Sequence, residues 1–154
     1  MGVAVLDAGL SVTATVPCPA EMSGSIHISG TKSAIVDTIF VCRSAPRAPG
    51  GDPAGERERL EDLLAIDVAK LRAGGVKPRP GDLRCLALGH LTRLAVAGLR
   101  ADWDTEMATG SKIAKIAESM DQVADVDPVV DRVLSERNAR NRRSQRELFE
   151  EMRA

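Results

Sequence analysis

Two histidines and three cysteines carry the most versatile chemistry in this chain of 154 residues, and their spacing assembles none of the common reactive centres. Cys18, Cys42 and Cys85 are widely separated and odd in number, which fits free thiols in a reducing cytoplasm better than a disulfide framework. Zinc needs close ligand pairs such as Cys-x2-Cys. The nearest pair here, Cys85 and His90, supplies two ligands and no more. Neither His27 nor His90 stands in a Ser/His/Asp or Cys/His pattern, and no Gly-x-Ser-x-Gly elbow or glycine-rich phosphate loop is present. The carboxylates are scattered over amphipathic stretches, where a solvated helix face accounts for them. His90, on a leucine-rich helix, reads as a hydrogen-bonded, partly buried side chain rather than a ligand. Residue types and spacing therefore give no catalytic centre.

Charge points to no partner globally. The net charge is −1, so any contact with nucleic acid must come from a local patch. The densest positive run is Arg137, Arg140, Arg142, Arg143 and Arg146, flanked by Glu136, Glu147, Glu150 and Glu151. Phosphate contact and an ordinary helix surface with i,i+4 pairs both account for it. No apolar run approaches the ~20 residues of a membrane span, and the N-terminus lacks the pattern of a secretory signal. Aromatic residues make up 2% of the chain, namely Phe40, Trp103 and Phe149, so Leu, Val, Ile and Ala must build the core.

The elements that would position these residues can be read in order. Val3–Gly9 has the character of a helix end, with Gly9 suited to a left-handed stop. Residues 10–19 and 33–43 are the two β segments, joined by a connector containing Gly24 and Gly30. The second is apolar enough to suggest a strand covered on both faces, and a lone two-stranded hairpin is marginal in water. Residues 44–53 form a Pro/Gly linker. Asp52-Pro53 then opens a helix bearing Leu60, Leu63, Leu64, Val68 and Leu71, which Gly74-Gly75 ends. A further helix, with Asp82 as its cap, carries Leu83, Leu86, His90, Leu91, Leu94 and Leu99. Gly89 and Gly98 weaken that helix by about 1 kcal/mol each, so close helix packing is expected there. A shorter helix carries Ile113, Ile116, Met120 and Val123, and Asp127-Pro128 starts the last one. The reading is α+β: a helix end and hairpin over 1–43, a linker over 44–53, and a helical region over 54–154.

Five segments of the chain resemble a known family. Thr15-Val-Pro-Cys-Pro-Ala-Glu-Met22, Ser25-Ile-His-Ile-Ser-Gly-Thr-Lys32 and Asp37-Thr-Ile-Phe-Val-Cys-Arg43 are similar to the C-terminal part of large adenine-specific DNA methyltransferases of bacteria and archaea. Asp82–Ala95 and Asp102-Trp-Asp104 resemble the helical extension that follows their catalytic fold. The resemblance implies that residues 1–43 are the terminal hairpin of a Rossmann-like sheet. It also implies transfer of a methyl group from S-adenosylmethionine to a flipped-out adenine. The family's cofactor motif and its Pro-Pro-aromatic catalytic motif have no counterpart in this sequence, which contains no Pro-Pro pair and no tyrosine. The expectation is a piece inactive alone and holding no cofactor, the result of truncation or a split gene. Its partners would be DNA and a methyltransferase core, or a second copy through an open sheet edge, with no membrane involved. In the family's arrangement the connector lies near the nucleic acid, which makes His27, Thr31 and Lys32 candidate contacts, although turn chemistry alone also explains them. Two other readings stand beside this one: an independent subunit that completes a separate core, and a small helical DNA-binding module using the arginine-rich end.

Overall fold

The computed structural model describes residues 1–19, 35–44 and 53–135. It is a mixed helix and strand fold, as expected. Its elements are α1 (Gly2–Asp7), β1 (Ser11–Pro19), β2 (Val36–Arg43), α2 (Pro53–Ala73), α3 (Pro80–Leu99), a 3-10 turn (Arg100–Asp102) and α4 (Thr109–Val123). A further helical stretch, here α5, covers 126–135.

Glycines end two of the helices by the same device. Gly9 (φ 68°) and Gly75 (φ 80°) adopt the left-handed conformation that costs glycine nothing. After α1, the N–H of Gly9 bonds to the Leu6 carbonyl and that of Leu10 to Val5, at 3.0 and 2.9 Å. After α2, Gly75 bonds to Arg72 and Val76 to Leu71, at 2.9 and 2.8 Å. Both are Schellman closures that satisfy carbonyls a helix end would otherwise leave open.

β1 and β2 pair antiparallel, with Val12 opposite Cys42, Thr15 opposite Phe40, and Val16 opposite Ile39. The register slips between Val12 and Ala14, where Thr13 is the extra residue of a bulge and its hydroxyl donates to the Val41 carbonyl at 3.1 Å. The bulge has a packing consequence. Val12 and Thr15 are an odd number of residues apart and would face opposite sides of a regular strand, yet both are buried. With the extra residue they share the inner face.

That inner face lies on α3, the central helix of the fold, which packs against α1, α2, α4 and both strands. On one side of α3, Leu60, Leu64, Val68 and Leu71 of α2 meet Leu83, Leu86, Leu91 and Leu94, joined by Val36, Val123, Val129 and Val130. This is the α2–α3 pairing that the leucine spacing predicts. On the other side, Val5, Leu6, Val12, Val96 and Ile116 form a smaller cluster, with Phe40, Cys42 and Trp103 against it.

Three expectations require correction. The hairpin leans on α3, so the apolar run of β2 reflects cover on one face, while Ile39 on the other is 49% exposed and its neighbour Val16 45%. Asp82 is not the residue before α3 but lies in its first turn, where it accepts the Arg79 backbone N–H at 2.7 Å. Of the two glycines of α3, Gly89 faces a strand, since a Cβ there would come within 2.5 Å of the Thr38 side chain, and Gly98 has nothing within 4 Å of its Cβ position. Helix packing explains neither.

Candidate functional site

The buried polar residues converge on α3. His90 sits between two partners that are distant in sequence: Thr15 Oγ1 lies 2.8 Å from its Nδ1 and Asp67 Oδ2 lies 2.8 Å from its Nε2. All three residues are at most 7% exposed. The carboxylate only accepts, so Nε2 carries a hydrogen toward Asp67. Nδ1 faces the Thr15 hydroxyl, a group with both a donor and acceptor lone pairs. The residue types are those of a nucleophile–base–acid relay, but the hydroxyl is enclosed between β1 and α3 and meets no substrate while the hairpin stays docked. Chemically the chain of bonds ties β1, α3 and α2 together and satisfies groups that would be expensive to bury alone.

A second buried carboxylate works on the backbone. Asp82 Oδ1 accepts the N–H groups of Ile35 (2.6 Å) and Val36 (3.1 Å), while Oδ2 accepts that of Arg79. One side chain thus fastens the entry of β2 to the start of α3 with three charge-assisted bonds.

A third polar lock joins the end of α1 to the segment after the 3-10 turn and to α4. Asp7 accepts from the Trp103 indole N–H at 2.9 Å and from Lys112, whose Nζ also donates to the Thr105 carbonyl at 2.7 Å. The bond from Trp103, then that from Lys112, hold the Asp7 carboxyl below its usual range, against the opposing effect of desolvation. Lys112 is buried on the inner face of α4, one turn before Ile116. Elsewhere, burial and the nearby Arg59 guanidinium lower Arg93.

Open clefts flank this core, two of them of about 500 Å³ or more. One, of about 500 Å³, lies between α3 and the α4–α5 corner and is lined by Leu88, Leu91, Met120, Asp121, Asp125 and Asp127, with Arg84 paired to Asp127. The other, of about 590 Å³, lies where α2 hands over to α3 and is lined by Arg72, Gly75, Val76, Lys77, Pro78, Arg79 and Pro80. Among the described residues no group of three His, Cys, Asp or Glu side chains could hold a metal ion. Cys18, Cys42 and Cys85 are free thiols. Cys85 faces Thr38, with Sγ 3.9 Å from the hydroxyl, instead of forming a site with His90. No helix among the described residues is long and apolar enough to cross a membrane.

The candidate nucleic-acid contacts His27, Thr31 and Lys32 lie outside the described residues, as does the arginine run from 137 to 146. The Thr15–His90–Asp67 connection escaped the sequence reading, although one signal was there. Asp67 stands at helical spacing between Leu64 and Leu71, a polar residue on an apolar face, and such a residue needs a buried partner. No family model, curated protein or solved structure matches the chain.

Proposed function

We propose that this chain is the C-terminal, non-catalytic piece of a cytoplasmic adenine-N6 DNA methyltransferase, and that it completes the sheet of a catalytic core while being inactive alone. The family resemblance of residues 9–43 and 82–104 suggests the reading. The observation that carries it is the hairpin: among the described residues β2 pairs only with β1, and the hairpin's outward face presents Val16 and Ile39 half-exposed. A helix, a left-handed glycine, a strand and an antiparallel return strand, with a helix on one face, is the order expected at the end of a Rossmann-like methyltransferase sheet. In that arrangement β2 lies between β1 and the preceding core strand, so its second edge is where the core adds. The parent family's chemistry would use S-adenosylmethionine held by that core, and no residue of this chain is assigned to catalysis or to the cofactor.

The test is complementation. A methyltransferase core of this family that ends before its terminal hairpin is mixed with this chain and supplied with S-adenosylmethionine carrying a labelled methyl group and with adenine-containing duplex DNA. Methyl transfer that requires both components supports the reading. A core that neither binds the chain nor gains activity from it, or methyl transfer by this chain alone, contradicts it.

A further inference from the structure

From Val68 to Gly81 the sequence holds four cations, Lys70, Arg72, Lys77 and Arg79, and no acidic residue, within a chain whose net charge is −1. The fold gathers three of them. Arg72 stands in the last turn of α2, Gly75 turns the chain with its left-handed φ, and Pro78 and Pro80 hold the short return to α3 extended, so Arg72, Lys77 and Arg79 line one cleft of about 590 Å³. All three are exposed and, among the described residues, none forms an ion pair; Lys70, by contrast, is paired with Asp67. The nearest carboxylate at the start of α3, Asp82, is buried and already engaged by three backbone N–H groups. It holds Arg79 and Ile35 on the same side chain, so the cleft opens beside the point where the connector re-enters the fold.

We infer that the Arg72–Lys77–Arg79 cleft is a phosphate-binding surface that holds the sugar-phosphate backbone of DNA. Guanidinium forks suit phosphate oxygens, and two of them beside an ammonium can neutralise adjacent phosphates without reading sequence. The contact positions the duplex and leaves base recognition to other residues. The phosphate chemistry rests on the cleft; the choice of DNA rests on the methyltransferase reading.

The experiment measures binding of a fluorescently labelled DNA duplex to the full chain by anisotropy across a salt series. Variants are Arg79→Gln, Lys77→Gln, the triple Arg72→Gln/Lys77→Gln/Arg79→Gln, and Arg59→Gln as a control placed about 20 Å along α2 from Arg72. Because the three cleft side chains are exposed, far-UV circular dichroism melts of the variants should match the parent. The expected result is salt-dependent binding that weakens about tenfold or more in the triple variant, with the slope of log K against log salt shallower by about 2–3, and little change for Arg59→Gln. A triple variant that binds DNA as the parent does, or a parent that binds no duplex, overturns the inference. So does saturable binding of pyrophosphate without binding of DNA, which would make the cleft a site for small anions. Failure of complementation with the triple-variant effect intact would remove the methyltransferase reading and leave the cleft standing. Complementation with an unaffected triple variant would do the reverse.

Discussion

His90 receives a hydrogen-bond partner at each ring nitrogen, and both partners come from other elements, so its replacement tests whether the buried relay holds the fold. In His90→Leu the Thr15 hydroxyl and Asp67 Oδ2 lose their buried partner while Asp67 Oδ1 keeps Lys70, at about 1–3 kcal/mol for each unsatisfied atom. Removing both ends of the Asp67 bond, in Asp67→Leu/His90→Leu, should cost less than the two single changes added together, because neither end of that bond is left buried without its partner. Urea denaturation midpoints of the four proteins check this, and strict additivity would contradict it. Asp7 provides the pH-dependent counterpart. Its folded pKa is lowered by Trp103 and Lys112, so its contribution is present in full above the ordinary value of 3.8 and is lost as pH falls toward the lower folded value. Asp7→Asn should therefore lower stability at neutral pH and flatten the acid limb below about pH 4. Parallel stability curves for the two proteins over that range would show that the lock makes no net contribution.

The two glycines of α3 make opposite predictions from one amino-acid type. At Gly89 an added methyl would run into Thr38 at 2.5 Å, so Gly89→Ala should push β2 off α3 and destabilise, and Thr38→Ala should restore part of the loss. At Gly98 the space is open, so Gly98→Ala should stabilise by about 0.5–1 kcal/mol through helix propensity alone. Thermal melts of the three variants decide it, and the same sign of change at both glycines would contradict the packing described. Leu64→Ala and Leu91→Ala, both in the α2–α3 seam and essentially without exposure, should each cost about 2–5 kcal/mol. A denaturation midpoint unchanged by both would separate the two helices. At this scale the sequence was informative where periodicity governs. Leu60, Leu64, Val68 and Leu71 show one apolar face of α2, and Gly9 and Gly74-Gly75 mark helix ends because only a left-handed residue closes them cheaply. It was silent where distant residues meet. Nothing local shows that Thr38 will press on Gly89, that Trp103 will reach Asp7, or that a bulge at Thr13 will turn Val12 inward.

For the whole molecule, burial and exposure divide at the hairpin. Its inner face is joined to α3 by Val12, Thr15, Val36 and Thr38, and its outer face offers Val16 and Ile39 beside an edge of β2 that no described strand occupies. The apolar character of β2 was legible in the sequence, but which face α3 would cover was not, because α3 itself carries apolar residues almost all round. An apolar edge of this kind invites another strand, from a catalytic core or a second copy. The most direct measurement is hydrogen exchange over residues 37–43, made on the dilute chain, with its mass followed by light scattering, and repeated with the methyltransferase core added. In the dilute chain alone, the β2 amides that point away from β1 should exchange quickly. They should become protected when the core is added or when the chain self-associates. Strong protection of those amides in a monodisperse monomer would mean that the edge is already covered, and would contradict the account of this chain as a sheet-completing piece.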